Sequence, residues 1–528
     1  MKHAFMGLAT LLGGFLGFSQ SAQAQGTYAD DALLYTRLGP SGTARTLGIG
    51  GASTALGADF SNLTTNPAGL GFYTKSEITL TPGFGFGNAD ATPLNNGAST
   101  PGLPSQSQTA NSFHIASAGV VFANRHPDND DRSWRGGSFA LGFTRQADFN
   151  QAFRYQNVTD DDHSFFQYLR EPGGFGDYTS AGYQGAVQSI LQQGSSGNFY
   201  NLDGLAYGSY LTDTARVRRP GGGPNDIINR VYTPFRSGPI TQNELITSKG
   251  SLSQFDLGYG GNFGDRFYIG GGIGIVSMNR TRTSTFSESS TSPTVGYGED
   301  FNFQEYVKTT GTGVNARLGV IYRPVDVVRI GASVQTPTYI RLNDEYSTTL
   351  TSNYVPNNVD PMLSTTPGTL DYSITTPFRA NGGLVVLLNK YGFLTGDVEY
   401  VGYSQARFHT NDNDVNGDLD VANQDISTGY RNTVNLRAGA EGRFDVFRVR
   451  VGYAHYGNPY SYTSPNRAQN YFTGGLGIRT KGFFVDVAGV YLAYKDEYSP
   501  YSLANSVSPA VDINQHRFTA SITGGLTF

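Results

Sequence analysis

Apolar and polar residues alternate one by one through much of this chain. At 516–528, Phe518, Ala520, Ile522, Gly524, Leu526 and Phe528 fall on one face. Arg517, Thr519, Ser521, Thr523, Gly525 and Thr527 fall on the other. Successive side chains of a strand point to opposite sides, so this is one apolar and one polar face. The pattern recurs at 434–444, 447–453, 483–494, 314–322 and 328–334, where Arg437, Glu441, Arg443, Arg448, Arg450, Asp486, Arg317 and Arg329 share the polar side. A soluble sandwich also alternates, with its charges in water. The connections argue for the inverse arrangement. Tight links near 264–265, 323–326, 389–390, 445–446 and 481–482 take turns with long ones near 287–299, 347–368, 411–428, 458–468 and 496–514. Short turns at one end and long loops at the other mark a membrane barrel, apolar outside and polar within.

The pattern predicts an all-β, antiparallel transmembrane barrel of about fourteen strands, an even number as such barrels require. They fall near 76–87, 112–123, 136–148, 251–263, 266–286, 303–323, 326–345, 371–388, 391–409, 431–444, 447–457, 469–480, 482–495 and 515–528. Several exceed the nine to eleven residues that cross a bilayer, so the walls are expected to extend beyond it. The barrel is assigned to 76–528. A Gly- and Ala-rich segment, 25–75, precedes it as a plug inside the lumen. A long extracellular insertion, about 149–250, separates the third and fourth strands, with helix-like pieces at 163–170, 181–193 and 202–214. A connection of that length is functional or disordered.

The start of the chain places the barrel in a compartment. Met1-Lys2-His3 is basic, 5–18 is apolar, and Ala22-Gln23-Ala24 supplies small residues before a cleavage point. This is a secretory signal peptide, 1–24, and the expected location is the bacterial outer membrane, crossed many times. The terminal Phe528 resembles the end signal of outer-membrane barrels, which implies the barrel assembly machinery as a partner. Membrane lipid and lipopolysaccharide are the other expected surroundings. Among 528 residues there are 69 Gly, 34 Phe and 33 Tyr, with no Cys, so disulfide and thiolate chemistry are excluded. A net charge of −5 argues against nucleic acid as a partner.

The stretch 43–77, TARTLGIGGASTALGADFSNLTTNPAGLGFYTKSE, resembles the N-terminal hatch of the FadL/TodX family of outer-membrane hydrophobic-compound channels. Asn66-Pro67-Ala68, with Asp59 ahead of it and the first strand directly behind, carries the resemblance. The stretch 393–408 is similar to a later strand of that family. The resemblance implies a fourteen-stranded barrel plugged by a hatch, passing long-chain fatty acids or aromatic hydrocarbons inward without an energy source. It also makes Asn66, Pro67, Ala68 and Asp59 the hatch or gate residues. Their chemistry agrees with a packed turn, because Pro67 fixes φ and Asn66 can bond nearby backbone.

Other chemistry is thin. Gly48-Ile49-Gly50-Gly51 lacks the Lys-Ser/Thr and the strand–helix context of a nucleotide loop. Of seven His, none pairs at catalytic or metal spacing. No catalytic residue, metal or cofactor is therefore expected, and the protein is read as not an enzyme. The acidic runs at Asp128, Asp130 and Asp131 and at 411–420 read as solvated loops. Glycines at 142 and 270–272 are places where strand pairing could fail. The expected function is passive uptake of hydrophobic small molecules such as long-chain fatty acids. Phe165, Phe166, Tyr168 and Leu169 would capture the ligand from outside. Arg317, Arg437, Arg448 and Arg450 would meet its carboxylate, though lumenal charges also pair across walls. A surface-binding or structural role and a haem-type receptor remain the alternatives.

Overall fold

The computed structural model describes residues 28–94, 103–127, 132–170, 177–290, 300–353, 362–462, 465–503 and 506–528. The signal peptide expected at 1–24 and the run Asp128, Asp130, Asp131 lie outside them. Fourteen antiparallel wall strands follow in order. They are β1 (Glu77–Pro93), β2 (Gln106–Arg125), β3 (Trp134–Asp148 and Gln151–Thr159), β4 (Ile240–Phe263), β5 (Phe267–Ser290), β6 (Phe301–Val325) and β7 (Val328–Gln335 and Tyr339–Ser352). Then come β8 (Gly368–Thr375 and Arg379–Leu387), β9 (Gly392–Val401 and Arg407–His409), β10 (Thr433–Phe444), β11 (Phe447–Tyr456), β12 (Gln469–Arg479), β13 (Phe483–Tyr498) and β14 (Val511–Thr527). Each pairs with the next in sequence, and β14 pairs with β1, Glu77 opposite Thr527 and Pro93 opposite Val511, which closes the ring.

Burial is inside out. On β14, Phe518, Ile522, Leu526 and Phe528 are exposed while Ser521 and Thr523 are buried. On β1, Ile78, Leu80, Phe84 and Phe86 face out while Thr79 and Thr81 are buried. These apolar faces join into a belt around the wall. Tyr339, Tyr400, Tyr453 and Tyr491 edge it on the long-loop side, and Phe267, Phe444, Phe447 and Phe483 on the short-turn side. Apolar surface on this scale is stable only against hydrocarbon, and the aromatic edges suit the headgroup layers. Beyond Ile275 the outward positions of β5 turn polar, Ser277, Asn279, Thr281 and Thr283. As expected, the walls extend past the belt.

The tight turns have a sequence cause. Asp265, Asn389 and Asp445 have φ of 57°, 51° and 53°, a left-handed conformation that Asn and Asp tolerate because their short side chains bond nearby backbone. At the other end, the ladder between β3 and β4 runs on to Thr159 opposite Ile240. The part of the insertion outside the wall is therefore 160–239, narrower than 149–250. It holds three helices, Phe165–Leu169, Ala181–Ser196 and Leu202–Gly208, and a two-stranded hairpin. The helix expected to run to Thr214 stops at Gly208, because Asp213–Arg218 pairs as a strand with Ile227–Tyr232. The long link near 411–428 is a helix, Asn413–Gly429, not a plain loop.

Residues 28–73 lie against the inner wall. The segment carries three helices, Tyr28–Thr36, Ala44–Gly48 and Asn62–Thr65, and a 3-10 turn at Pro67–Phe72. The first helix packs Ala29, Ala32 and Leu33 in one buried cluster with Leu419, Ala422 and Ile426 of the Asn413–Gly429 helix. Wall glycines seat the rest. A Cβ at Gly270 would strike the Pro67–Ala68 backbone, and one at Gly319 would overlap the Asn66 side chain. Pairing is continuous through 270–272, Gly270 with Gly260 on one side and Gly319 on the other. The ladder does not fail there. Those glycines serve close approach.

Candidate functional site

Asn66 is the tie between segment and wall. It is fully buried, and its Nδ2 donates to the carbonyls of Thr54 at 2.7 Å, Val320 at 3.1 Å and Ala332 at 3.3 Å, the last two on β6 and β7. Its Oδ1 accepts from the Ala68 amide at 3.1 Å. Pro67 opens the 3-10 turn where its missing N–H costs nothing, and Ala68 is buried with Tyr268 and Ile321. Asp59 accepts from the Thr43 hydroxyl at 2.9 Å and the Ser61 amide at 2.9 Å, folding the segment on itself. It lies 3.7 Å from Arg45, which is also 3.7 Å from Glu441 of β10. Asn66, Pro67 and Ala68 thus lie on the contact between segment and wall, while Asp59 holds the segment's own fold.

The four arginines assigned to a ligand carboxylate already hold other partners. Arg450 bonds Glu441 at 2.8 Å and Asp486 at 2.6 Å. Arg437 bonds Glu399 at 2.7 Å. Arg317 donates to Gln335 at 2.7 Å and to the Leu63 carbonyl at 3.2 Å. Arg448 sits at a tight turn, where it donates to the Asp445 and Phe447 carbonyls. None of the four lines the cavity described below. Arg437 and Arg450 are taken up by carboxylates of the wall, and Arg317 ties the wall to the N-terminal segment.

Phe165, Phe166 and Leu169 are not presented outward either. They are buried with Phe286, Phe301 and Phe303 of β5 and β6 and with Tyr501, and Tyr168 packs against them half-buried. The arrangement is locked from beneath. Glu288 accepts from the Phe165 amide at 2.7 Å and from Arg236 at 2.6 Å, both side chains fully buried. Nearby, beyond the belt, burial pushes the carboxyl of Glu305 up to about 8, with Arg282 opposing. Burial raises Glu244 as well, although Ser284, Tyr155 and Tyr498 hydroxyls bond it.

The wall is interrupted at β3. Its pairing with β2 runs from Arg125–Gly136 to Ser117–Thr144 and stops. Over 106–116, β2 pairs only with β1, while the second part of β3 pairs only with β4. Two local features bend the strand: a register shift between Arg145 and Ala147, and Gly250 opposite, whose φ of 132° only glycine adopts readily. The bent strand leans inward, and Phe153 and Tyr155 pack on Ala89 and Ala91 of β1 and Val511 and Ile513 of β14. At Gly142, where pairing was expected to be able to fail, the ladder holds on both sides, with Gly119 and with Asp256, and the interruption begins past Thr144. Gly142 itself gives room to the Phe60 ring.

Beside the bend is a cavity of about 410 Å³ between the N-terminal segment and the wall, within the size range of small-molecule sites. One side is apolar, with Leu33, Leu34, Leu47, Phe149, Phe153 and Ile513. The other carries His114, Arg145, Gln146, Gln515, Arg517 and Ser521. Sequence reading missed this set, although inward parity on β14 already marked Arg517 and Ser521.

No protein-family model matches the chain, and no curated protein matches it in sequence. Among solved structures, that of a Pseudomonas aeruginosa FadL homologue aligns over 93% of this chain and 100% of its own, at 13% identity and a TM-score of 0.54. The P. putida toluene transporter TodX aligns over 93% and 99%, at 11% identity and a TM-score of 0.50. With its apolar belt, the molecule is a multi-pass β-barrel of the bacterial outer membrane. Its fold is the FadL/TodX-type fourteen-stranded barrel.

Proposed function

We propose that the protein is an outer-membrane channel for passive uptake of hydrophobic small molecules, long-chain fatty acids among them. The observation that carries this reading is the broken ladder at β3 beside a half-apolar cavity. A ligand held there lies next to a stretch of wall where neighbouring strands lack ladder hydrogen bonds between their backbones. The solved neighbours are named as a FadL homologue and a toluene transporter, which supports a hydrophobic cargo. In this reading residues 25–75 are the hatch, 160–239 and the other long loops face outward against lipopolysaccharide, and Phe528 is read by the assembly machinery. Capture from outside then requires the Phe165 cluster to part, because its rings are buried at rest.

The test is uptake of radiolabelled oleate by cells lacking their own transporter, with and without this protein. Restored uptake that is lost when Ser112 on β2 and Asp148 on β3 are replaced by cysteines and bridged by a short bifunctional thiol reagent supports passage at the interruption. Their side chains are 3.1 Å apart. A folded barrel that restores no uptake overturns the channel reading in favour of a surface-binding role.

A further inference from the structure

Past β13 the chain turns inward instead of returning along the wall. Pro500, Tyr501 and Leu503 are buried. The stretch is braced by Ser499, whose hydroxyl donates to the Pro509 carbonyl at 2.7 Å, and by Ser508, whose hydroxyl accepts from the Leu503 amide at 3.0 Å. Its two tyrosines reach β4. The Tyr498 hydroxyl donates to Glu244 Oε1 at 2.9 Å, and the Tyr501 hydroxyl accepts from Gln242 Nε2 at 2.5 Å. β13 and β4 are not neighbours, because β14, β1, β2 and β3 stand between them. Residues 498–503 therefore bridge the interruption between β2 and β3 from one side to the other.

The two tyrosines have different surroundings. Tyr498 lines the cavity, and its ring meets Phe153 and Tyr155 of the bent strand at centroid distances of 5.3 and 6.4 Å. Tyr501 lies in the aromatic cluster of the outer insertion, 5.4 Å from the Phe165 ring, and donates to the His163 carbonyl at 2.9 Å. Leu503 joins that cluster. One short stretch of chain thus stands between the cluster and the cavity and is bonded on both sides. Where the backbones of β2 and β3 exchange no ladder bonds, side chains carry the closure. A hydroxyl on a buried carboxylate is among the stronger hydrogen bonds available for it.

We propose that residues 498–503 are a strap that gates the way from the outer insertion to the cavity, with the Tyr498–Glu244 bond as its latch. Lifting the strap takes Tyr501 from the Phe165 cluster and Tyr498 from the bent strand, so the cluster and the interruption open as one unit. Loosening either end then loosens the other by the same factor. Tyr498 and Glu244 are positioning residues, acting through the strap and not on the cargo. The proposal rests on the channel reading and adds to it the element that opens.

The chain has no cysteine, so single thiols report on each side. Ala91→Cys is buried beneath Phe153 and Tyr155, and Leu205→Cys is buried in the insertion cluster. Maleimide labelling is measured on cells expressing the full-length protein. Tyr498→Phe keeps the ring, removes one bond to the carboxylate, and is expected to speed labelling of both thiols by about tenfold or more. Tyr155→Phe removes a hydroxyl from the same carboxylate, but between strands whose backbones are already paired. It is expected to change neither rate by more than about twofold. In a second arm, Tyr498→Cys with Glu244→Cys is bridged by a cleavable bifunctional thiol reagent. Oleate uptake is expected to fall about tenfold or more on bridging and to return on cleavage. Labelling that responds alike to the two Phe variants, or that rises at only one thiol, overturns the strap, as does uptake unaltered by a completed bridge. Both results leave the channel standing. Absence of oleate uptake by the unaltered protein overturns the channel reading, while the labelling still decides whether the strap exists.

Discussion

Replacing Asn66 tests whether the N-terminal segment is held by a few buried hydrogen bonds. Its amide makes contacts to three carbonyls and one backbone N–H, all within 3.3 Å and fully buried. The two Nδ2 hydrogens are worth about 1 kcal/mol each as bonds, and the orphaned Ala68 amide adds about 1–3 kcal/mol. Asn66→Ala should therefore loosen the segment by about 3 kcal/mol, which multiplies its open population by about 100. Asn66→Asp keeps the shape but turns a carboxylate oxygen toward three carbonyls, and should loosen it further. The chain has no cysteine, so Ala68→Cys gives a single buried thiol whose maleimide labelling in membranes reports opening. Labelling should accelerate about 100-fold with Asn66→Ala and more with Asn66→Asp. A change under about threefold, or Asp no faster than Ala, would refute the tie.

Gly270→Val places a side chain against the Pro67–Ala68 backbone and should give the same exposed thiol, read by the same labelling, with the barrel still heat-modifiable on gels. Arg236→Met leaves Glu288 buried without its cation and should destabilise the outer insertion by about 3–5 kcal/mol, seen as faster proteolysis within 160–239. Glu305 gives a pH signature. Its folded carboxyl is pushed up to about 8 against 4.5 when unfolded, so the stability it contributes is greatest below pH 4.5 and falls as pH rises toward 8, because only the unfolded chain ionises in that window. The slope is about 1.4 kcal/mol per pH unit at most, and Glu305→Gln should flatten it in hydrogen exchange across the outer halves of β4 to β6.

The barrel was legible because alternation is a local signal that lipid outside and polar lumen inside both enforce. Asn66-Pro67-Ala68 and Asp59 stood out by resemblance to a known hatch, with which the turn chemistry of Asn66 and Pro67 agrees. The ligand residues were less legible. Parity placed Arg450 and Arg437 in the lumen but could not say that Glu441 and Glu399 lie across the wall to take them. A run of aromatics at 165–169 reads alike whether it meets solvent or the ends of β5 and β6. The bend in β3 depends on a glycine about a hundred residues downstream, Gly250, and no window on β3 contains it. The polar side of the cavity was hidden because which side chains share a lining is a property of three-dimensional surroundings alone.

Ring closure fixes an order of events during biogenesis. The segment at 28–73 precedes β1, and the wall closes only when β1 meets β14, the final strand of the chain. The segment rests on side-chain-free tracks at Gly270, Gly319 and Gly452, strands made long after it. Its seat is therefore complete only when those later strands are in place. A chain deprived of it would leave the glycine tracks at Gly270, Gly319 and Gly452 bare. The residues of the segment thus rest on strands drawn from widely separated parts of the wall.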